Sequence, residues 1–128
     1  MKKNLISTLF LILIVLVAIF TNPGSERHKE TIKSKLNIYL QKVMKDNLKE
    51  ASEEEQQAGQ AIGMLLGGAI IDRIIDNTLS TNNYLLFSTT KISWEGETKI
   101  IGIGAFGNVF LTGKLDEALN QGLLENNK

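Results

Sequence analysis

The first hydrophobic pattern in the chain is a nearly continuous apolar run over residues 5–20. Fourteen of its sixteen residues are apolar, and Lys2 and Lys3 precede it. Its thirteen Leu, Ile, Phe and Val residues favour membrane insertion by roughly −4 to −8 kcal/mol. At ~1.5 Å per residue the run is about 24 Å long, slightly less than a hydrocarbon core of roughly 30 Å. The pattern predicts a membrane anchor in residues 1–22, with apolar positions that include Leu5, Phe10, Leu13, Val17 and Phe20.

A cleaved signal peptide is the alternative reading of this segment. Cleavage needs small residues just after the apolar run, and Phe20 occupies one of those positions, so retention as an uncleaved anchor is favoured. Basic residues flank the run on both sides and do not decide its orientation. The short N-terminus resembles an export signal. We therefore expect a single pass through the cytoplasmic membrane, with the N-terminus in the cytoplasm and the domain outside it.

Helical periodicity follows the anchor. Apolar residues recur every three to five positions between Ile32 and Leu48, with lysines between them, which predicts an amphipathic helix. Ser52 and Glu55 match a capping box, which predicts a further helix from there to about Leu79.

Three glycines, Gly59, Gly63 and Gly67, repeat every fourth residue on one side of this last helix. In one interpretation it is a second membrane span with a glycine dimerisation face. However, only residues 62–71 are uninterrupted, and about 20 apolar residues are needed to span a bilayer. A buried helix of a soluble domain is therefore favoured, with the glycines as a helix-packing or oligomer face.

From residue 81 to residue 113 the pattern changes to β-formers. It predicts antiparallel strands over residues 84–90, 99–103 and 108–111, as a hairpin or a three-stranded sheet. Residues 95–97 are expected to form the first turn, and residues 104–107 a second turn or a bulge. Leu115, Leu119 and Leu123 then predict a short C-terminal helix. The predicted fold class is α+β, with residues 23–128 as one small domain.

Composition narrows the possible functions. Residues 23–128 contain twelve Lys and Arg against fourteen Asp and Glu, so they carry no basic surplus for binding nucleic acid. The chain contains no cysteine, which excludes disulfides, thiolate nucleophiles and zinc-thiolate sites.

Few motifs indicate chemistry. Residues 102–107 match G-x-G-x-x-G, but a strand rather than a helix is expected to follow them, so a bulge or tight turn is favoured over a nucleotide site. His28, the only histidine, is expected to be exposed near the membrane surface and distant from the strands. Asp72 and Asp76 lie on one helical face, where they would pair for acid–base chemistry or bind a hard cation. A position at a solvated helix edge is favoured over both.

The aromatic residues of the β region are expected to form the core of the sheet rather than a ligand groove. They are Tyr84, Phe87, Trp94, Phe106 and Phe110. Nearby hydroxyl residues are expected to be polar strand surface; they are Ser88, Thr89, Thr90 and Ser93.

Three segments of the chain form a recognisable combination: Thr21-Asn22-Pro23 after the apolar run, Asn83-Tyr84-Leu85-Leu86-Phe87-Ser88, and Gly104-Ala105-Phe106-Gly107-Asn108-Val109. Together they resemble a small bacterial family of membrane-anchored domains with no assigned function. The resemblance implies a bacterial source and an N-terminal anchor, and it supplies no catalytic or binding residues.

The sequence thus predicts an anchored envelope protein that acts as a protein-interaction or structural module. Its partners would be membrane lipid, through the anchor, and an envelope protein or a second copy. No catalytic, cofactor-binding or metal-binding residue is assigned. The alternatives are a small envelope enzyme or ligand-binding domain that uses the aromatic β region, and a membrane-active glycine-zipper protein.

Overall fold

The computed structural model describes residues 2–94 and 96–126. Four helices and four strands make up an α+β fold, which confirms the predicted class. The helices are α1 (Lys2–Phe20), α2 (Ser25–Asn47), α3 (Glu53–Thr78) and α4 (Gly113–Asn126). The strands are β1 (Leu79–Asn83), β2 (Ser88–Trp94), β3 (Glu97–Ala105) and β4 (Asn108–Leu111).

The predicted capping box begins α3. The Ser52 backbone N–H donates to Glu55 Oε2 over 3.0 Å, and the Glu55 N–H donates to Ser52 Oγ over 3.4 Å. Reciprocal bonds of this kind satisfy two donors that the first helical turn leaves without partners. The helix ends at Thr78, and β1 follows without a connecting loop.

The sheet has the order β1-β2-β3-β4, and β2–β3 and β3–β4 pair antiparallel. Gly96, with φ of 84°, forms part of the first predicted turn. Phe106 and Gly107, both with positive φ, form the second turn, as in tight hairpins. Thr90 pairs with Gly102 and Lys91 pairs with Ile100, so Ile101 is an extra residue that makes a bulge in β3.

The first predicted strand begins too early. Of its residues 84–90, residues 88–90 lie in β2, whereas residues 84–87 form a loop between β1 and β2. The strand β1 was not predicted, because the preceding helix was expected to reach about Leu79 and the strands to begin at residue 84. Within this loop the Tyr84 N–H donates to Phe87 O over 2.8 Å, and Leu85 has a φ of 74°. A left-handed residue ends an extended strand, so the β-forming composition of the loop is overridden.

The chain divides into two compact units. The first comprises Met1–His28 and Ser80–Lys128, with Ile101 and Leu115 among its buried residues and α4 packed against β3. The second is Lys29–Leu79, in which Ile32, Ile71 and Ile75 are buried. That residues 23–128 form a single domain stays a prediction.

Among the described residues two helices are long and apolar enough to cross a membrane. α1 has a mean hydropathy of 2.4 over its most apolar window and α3 has 1.4. The apolar side chains of α1 are exposed along most of its length, as expected of a helix that contacts lipid. Ala18, in its last turn, is buried. The α1 helix is consistent with membrane association, although a signal sequence has the same properties.

In the second unit, long side chains of α2 and of Leu48, the residue after it, fill the space beside the glycines of α3. Cβ atoms built at Gly59, Gly63 and Gly67 would meet the side chains of Leu48, Met44 and Leu40 respectively. The order is that of an antiparallel helix pair. Lys33 and Lys29 of α2 continue it through ion pairs with Asp72 and Asp76, at 2.6 and 3.1 Å.

We expect Gly67→Leu to destabilise this helix pair by about 1–3 kcal/mol relative to Gly68→Leu. A Cβ at Gly67 would overlap Leu40, whereas nothing lies within 4 Å of a Cβ at Gly68. Both substitutions gain the same helix propensity, so the difference between them isolates the packing cost. Thermal unfolding of the two full-length variants in detergent measures it, and equal midpoints would contradict the observed packing.

Candidate functional site

A fully buried polar cluster surrounds the imidazole of His28, in the first turn of α2. His28, Ser88 and Thr90 have no measurable exposure. The His28 Nε2 atom lies 2.6 Å from Ser88 Oγ, and Nδ1 contacts Thr90 Oγ1. Ser88 and Thr90 alternate along β2 and therefore point to the same face of the sheet. The prediction that His28 is exposed and distant from the strands is wrong, and the predicted polar surface at Ser88 and Thr90 is buried.

The hydrogen bonds of this cluster favour one tautomer of the imidazole. The Ser88 hydroxyl lies 3.0 Å from the Pro23 carbonyl, which can only accept a proton. When Ser88 donates to that carbonyl it accepts from His28, and the proton of the neutral ring is then on Nε2. In the neutral ring Nδ1 then accepts from the Thr90 hydroxyl, and both ring nitrogens have partners.

Burial lowers the pKa of His28 below its usual value, and the hydrogen bond to the Pro23 backbone opposes this effect more weakly. A lowered pKa means that the unfolded chain binds more protons than the folded chain between the two pKa values. Stability from this group is therefore complete above the unfolded pKa of about 6.5, and it is lost as pH falls towards the folded pKa.

We expect the free energy of unfolding to fall when the pH is lowered from 7 to 5, by at most ~1.4 kcal/mol per pH unit from this group. His28 is the only histidine, so His28→Gln should remove most of the decrease. Chemical denaturation at several pH values above 5, where most carboxylates stay ionised, measures both proteins. A variant with the same pH slope as the native chain would show that His28 is not responsible.

Glycines in β3 make room for the cluster. A Cβ atom at Gly104 would lie 2.5 Å from Pro23 Cγ and Ser88 Oγ, and 2.6 Å from His28 Nε2. A Cβ at Gly102 would lie 2.9 Å from Thr90 Oγ1. The G-x-G-x-x-G segment is thus part of a β-hairpin, and no helix N-terminus follows it to receive a phosphate. The expectation of a tight turn holds for residues 106–107, while Gly102 and Gly104 allow close packing.

We expect Gly104→Ala to destabilise the first unit by roughly 1–3 kcal/mol, because the added methyl group overpacks a buried cluster. Gly24→Ala is the matched control, since nothing lies within 4 Å of a Cβ at that position. Unfolding monitored through the single tryptophan compares the two variants. If the two variants unfold at the same midpoint, the space beside Gly104 is not tightly packed.

The pair of Ser88 and His28 resembles a serine–histidine dyad in its distance but not in its arrangement. A nucleophilic serine donates its hydroxyl proton to the histidine, whereas Ser88 donates to a backbone carbonyl. Both residues are also fully buried, so a substrate cannot reach them. The arrangement holds the start of α2 against the sheet.

The same side of the sheet holds the residues that follow α1. The Gly107 N–H donates to the Thr21 carbonyl over 2.6 Å. Asn22 Nδ2 donates to Asn83 Oδ1 over 2.8 Å and to the Leu85 carbonyl over 3.1 Å. Asn83 Oδ1 also accepts from the Leu85 N–H over 2.8 Å. Backbone and amide groups thus fix the exit of α1 to two loops of the sheet.

The aromatic residues of the β region are exposed, which corrects the prediction that they form its core. The exposed fractions of Tyr84, Phe87, Phe106 and Phe110 lie between 42% and 61%. The rings of Tyr84 and Phe87 stack with centroids 5.0 Å apart. The side chain of Trp94 lies outside the described part of the structure.

The acidic residues of α3 provide no ligand cluster. Asp72 and Asp76 each pair with a lysine of α2, and their side chains are more than half exposed, so these ion pairs contribute little stability. Within residues 2–94 and 96–126, no three histidine or acidic side chains are grouped to hold a metal ion.

Large apolar side chains of α3 are exposed in a row beside its glycines, three positions after each of them. Ile62, Leu65, Leu66 and Ile70, which we call the α3 apolar face, are 58–77% exposed. The sequence predicted that this helix is buried. In the structure only Ile71 and Ile75 of α3 are buried, so that prediction is wrong for most of the helix. Positions three and four apart lie together on a helix, so these four side chains form one continuous stripe.

No family model matches this chain, and no curated protein or solved structure is similar to it.

Proposed function

We propose that this chain is a membrane-anchored interaction protein that binds another protein through the α3 apolar face. The exposure of four large aliphatic side chains on that face is the observation that supports the proposal. Soluble monomers rarely leave such a stripe in contact with water, and contiguous apolar patches of this kind are typical of interaction sites. The partner is an envelope protein or a second copy of the chain.

In this proposal α1 lies in the cytoplasmic membrane of a bacterium, with its N-terminus in the cytoplasm and the folded part outside. The absence of cysteine makes the topology directly testable, because any introduced thiol is unique. Ser93→Cys, at an exposed position of β2, should react with a membrane-impermeant maleimide in intact cells whose outer barrier is permeable to the reagent. Reaction only after lysis would reverse the orientation.

A photo-crosslinking amino acid tests the interaction at position Leu65, which is 77% exposed. We expect a protein adduct of defined size in native membranes, and we expect Leu66→Glu in the same chain to abolish it. Ile38 of α2, 63% exposed, is the control position and should give no such adduct. A Leu65 adduct that persists with Leu66→Glu, or that also forms from position 38, would contradict the proposal.

A second candidate is a membrane-active glycine-zipper protein, which the hydropathy of α3 favours. In that case the α3 apolar face contacts lipid rather than protein. Crosslinking from Leu65 to lipid, with no protein adduct, would support this second candidate. The contacts of α2 with Gly59, Gly63 and Gly67 argue against it, because they occupy the face through which a glycine zipper would associate.

A further inference from the structure

Two loops lie beside the exit of α1, and together they carry exposed apolar residues. We call residues 84–87 and 106–107 the anchor-end loops. Their large apolar side chains are Tyr84, Leu85, Leu86, Phe87 and Phe106, which are 42–62% exposed. Phe20, the last residue of α1, is 84% exposed.

The order of contacts shows which end of the sheet is closest to the anchor. Along the first part of the chain, Asn22 contacts Leu85, Pro23 contacts Ser88, and His28 contacts Ser88 and Thr90. The strand β2 therefore leads away from the end of α1. The strand β3 returns towards it, since Gly104 lies beside Pro23 and Gly107 bonds to Thr21.

The depth of these loops follows from the length of α1. A helix of 19 residues is about 28 Å long at ~1.5 Å per residue, no longer than a hydrocarbon core of roughly 30 Å. Thr21 and Asn22 must then lie at the membrane boundary if α1 spans the bilayer. Ala18, in the last turn of α1, is buried, unlike the apolar residues that precede it.

The backbone of the anchor-end loops supports a role for their side chains. Leu85 and Phe106 are the two non-glycine residues with positive φ, at 74° and 48°, in the described part of the chain. Glycine or asparagine relieves strain at such positions, and neither a leucine nor a phenylalanine does. Backbone strain and exposed apolar surface both reduce the stability of the folded chain, and contact with water compensates for neither. Strain of this kind is often found at functional sites.

Charge also distinguishes these loops from the rest of the surface. No Asp, Glu, Lys or Arg occurs between Asp76 and Lys91, or between Lys99 and Lys114. No ionised group of the loops themselves must therefore be desolvated when they meet an apolar phase. Aromatic residues with amphipathic rings, such as Tyr84, are enriched at the level of lipid headgroups.

We propose that the anchor-end loops insert into the outer part of the same lipid leaflet in which α1 ends, so that the folded part is seated on the membrane through the tips of its sheet. This inference rests on the membrane anchoring in the proposed function. It adds a second lipid contact, contributed by residues more than sixty positions away from the anchor in sequence.

Tryptophan fluorescence in vesicles tests this seating with the full-length chain. The native Trp94 lies at the end of β2 away from the anchor and serves as the internal control. In the Trp94→Phe background, Leu86→Trp and Phe106→Trp are two independent loop probes, and Leu13→Trp is a probe of the anchor. Each protein is reconstituted into phosphatidylcholine vesicles brominated either near the headgroup end or near the methyl end of the acyl chains.

We expect both loop probes to be quenched several-fold more strongly by the shallow bromines than Trp94 is, and the Leu13→Trp probe to be quenched by the deep bromines. If the anchor probe is quenched while neither loop probe is, the seating is wrong and the anchoring stands. Quenching of Trp94 as strong as that of the loop probes would also contradict seating through the tips. An anchor probe that neither lipid quenches would overturn the anchoring itself.

A protein partner on the loops would give a different result. The loop probes would then be shielded from the aqueous quencher acrylamide in native membranes without being quenched by brominated lipid, and this outcome would count against the lipid contact. Because the two loop probes lie in separate loops, misfolding at one of them leaves the other as a valid test.

Discussion

Replacement of His28 by alanine is expected to destabilise the first unit by about 3 kcal/mol or more. The substitution removes two hydrogen bonds, leaves the buried Thr90 hydroxyl without its ring partner, and opens a cavity where the ring is fully enclosed. A buried polar group without a partner costs roughly 1–3 kcal/mol by itself.

Chemical denaturation of the full-length protein in detergent, followed by tryptophan emission, measures this loss. Ser34→Ala is the matched control, because Ser34 is an exposed residue of the same helix and its change should stay within about 0.5 kcal/mol. If His28→Ala unfolded at the same denaturant concentration as Ser34→Ala, the cluster would not stabilise the fold. The sequence analysis predicted a remote, exposed side chain at this position, and the burial of His28 against Ser88 and Thr90 is what makes the expected effect large.

Features set by neighbouring residues were predictable from the sequence. The apolar run of α1, the capping box at Ser52 and Glu55, and the turn at Gly96 each depend on a few consecutive positions. Local propensity and hydrogen bonding decide such features. The α+β class followed from them.

The His28 cluster could not be predicted in the same way. The partners of His28 lie about sixty positions further along the sequence. No local pattern predicts that β2 passes beside the first turn of α2. A signal was present in the alternation of Ser88 with Thr90 and of Gly102 with Gly104, since residues two apart share one face of a strand. That alternation indicates that small and hydroxyl residues on one face of the sheet enclose another side chain. It does not show that this side chain is a histidine.

The predicted start of the first strand and the predicted burial of α3 differ from the structure for different reasons. Asn22 and Asn83 hold residues 84–87 in a tight loop through side-chain hydrogen bonds, and these bonds override the β propensity of the loop. In α3, both the glycine side and the aliphatic side are compatible with burial. Which of them packs against α2 is decided by Leu40, Met44 and Leu48, because long side chains fit beside glycine.

Loss of membrane attachment is the largest effect that we expect from any change in α1. Replacing Leu9 and Leu13 by aspartate adds roughly 5–7 kcal/mol and removes about 1 kcal/mol of favourable insertion energy, which cancels most or all of the roughly −4 to −8 kcal/mol of the run. The same two changes at Leu65 and Leu66 in α3 should leave attachment intact, because the proposed anchor, α1, is unchanged in that variant. Comparison of the two double variants therefore distinguishes a chain that crosses the membrane once, through α1, from a chain that crosses it twice.

Alkaline carbonate extraction of membranes that contain the full-length chain tests the anchoring most directly. We expect the native protein and the Leu65→Asp/Leu66→Asp variant to stay in the pellet, and the Leu9→Asp/Leu13→Asp variant to be released. Release of the native protein, or continued retention of the Leu9→Asp/Leu13→Asp variant, would contradict the account in which α1 holds this protein in the membrane.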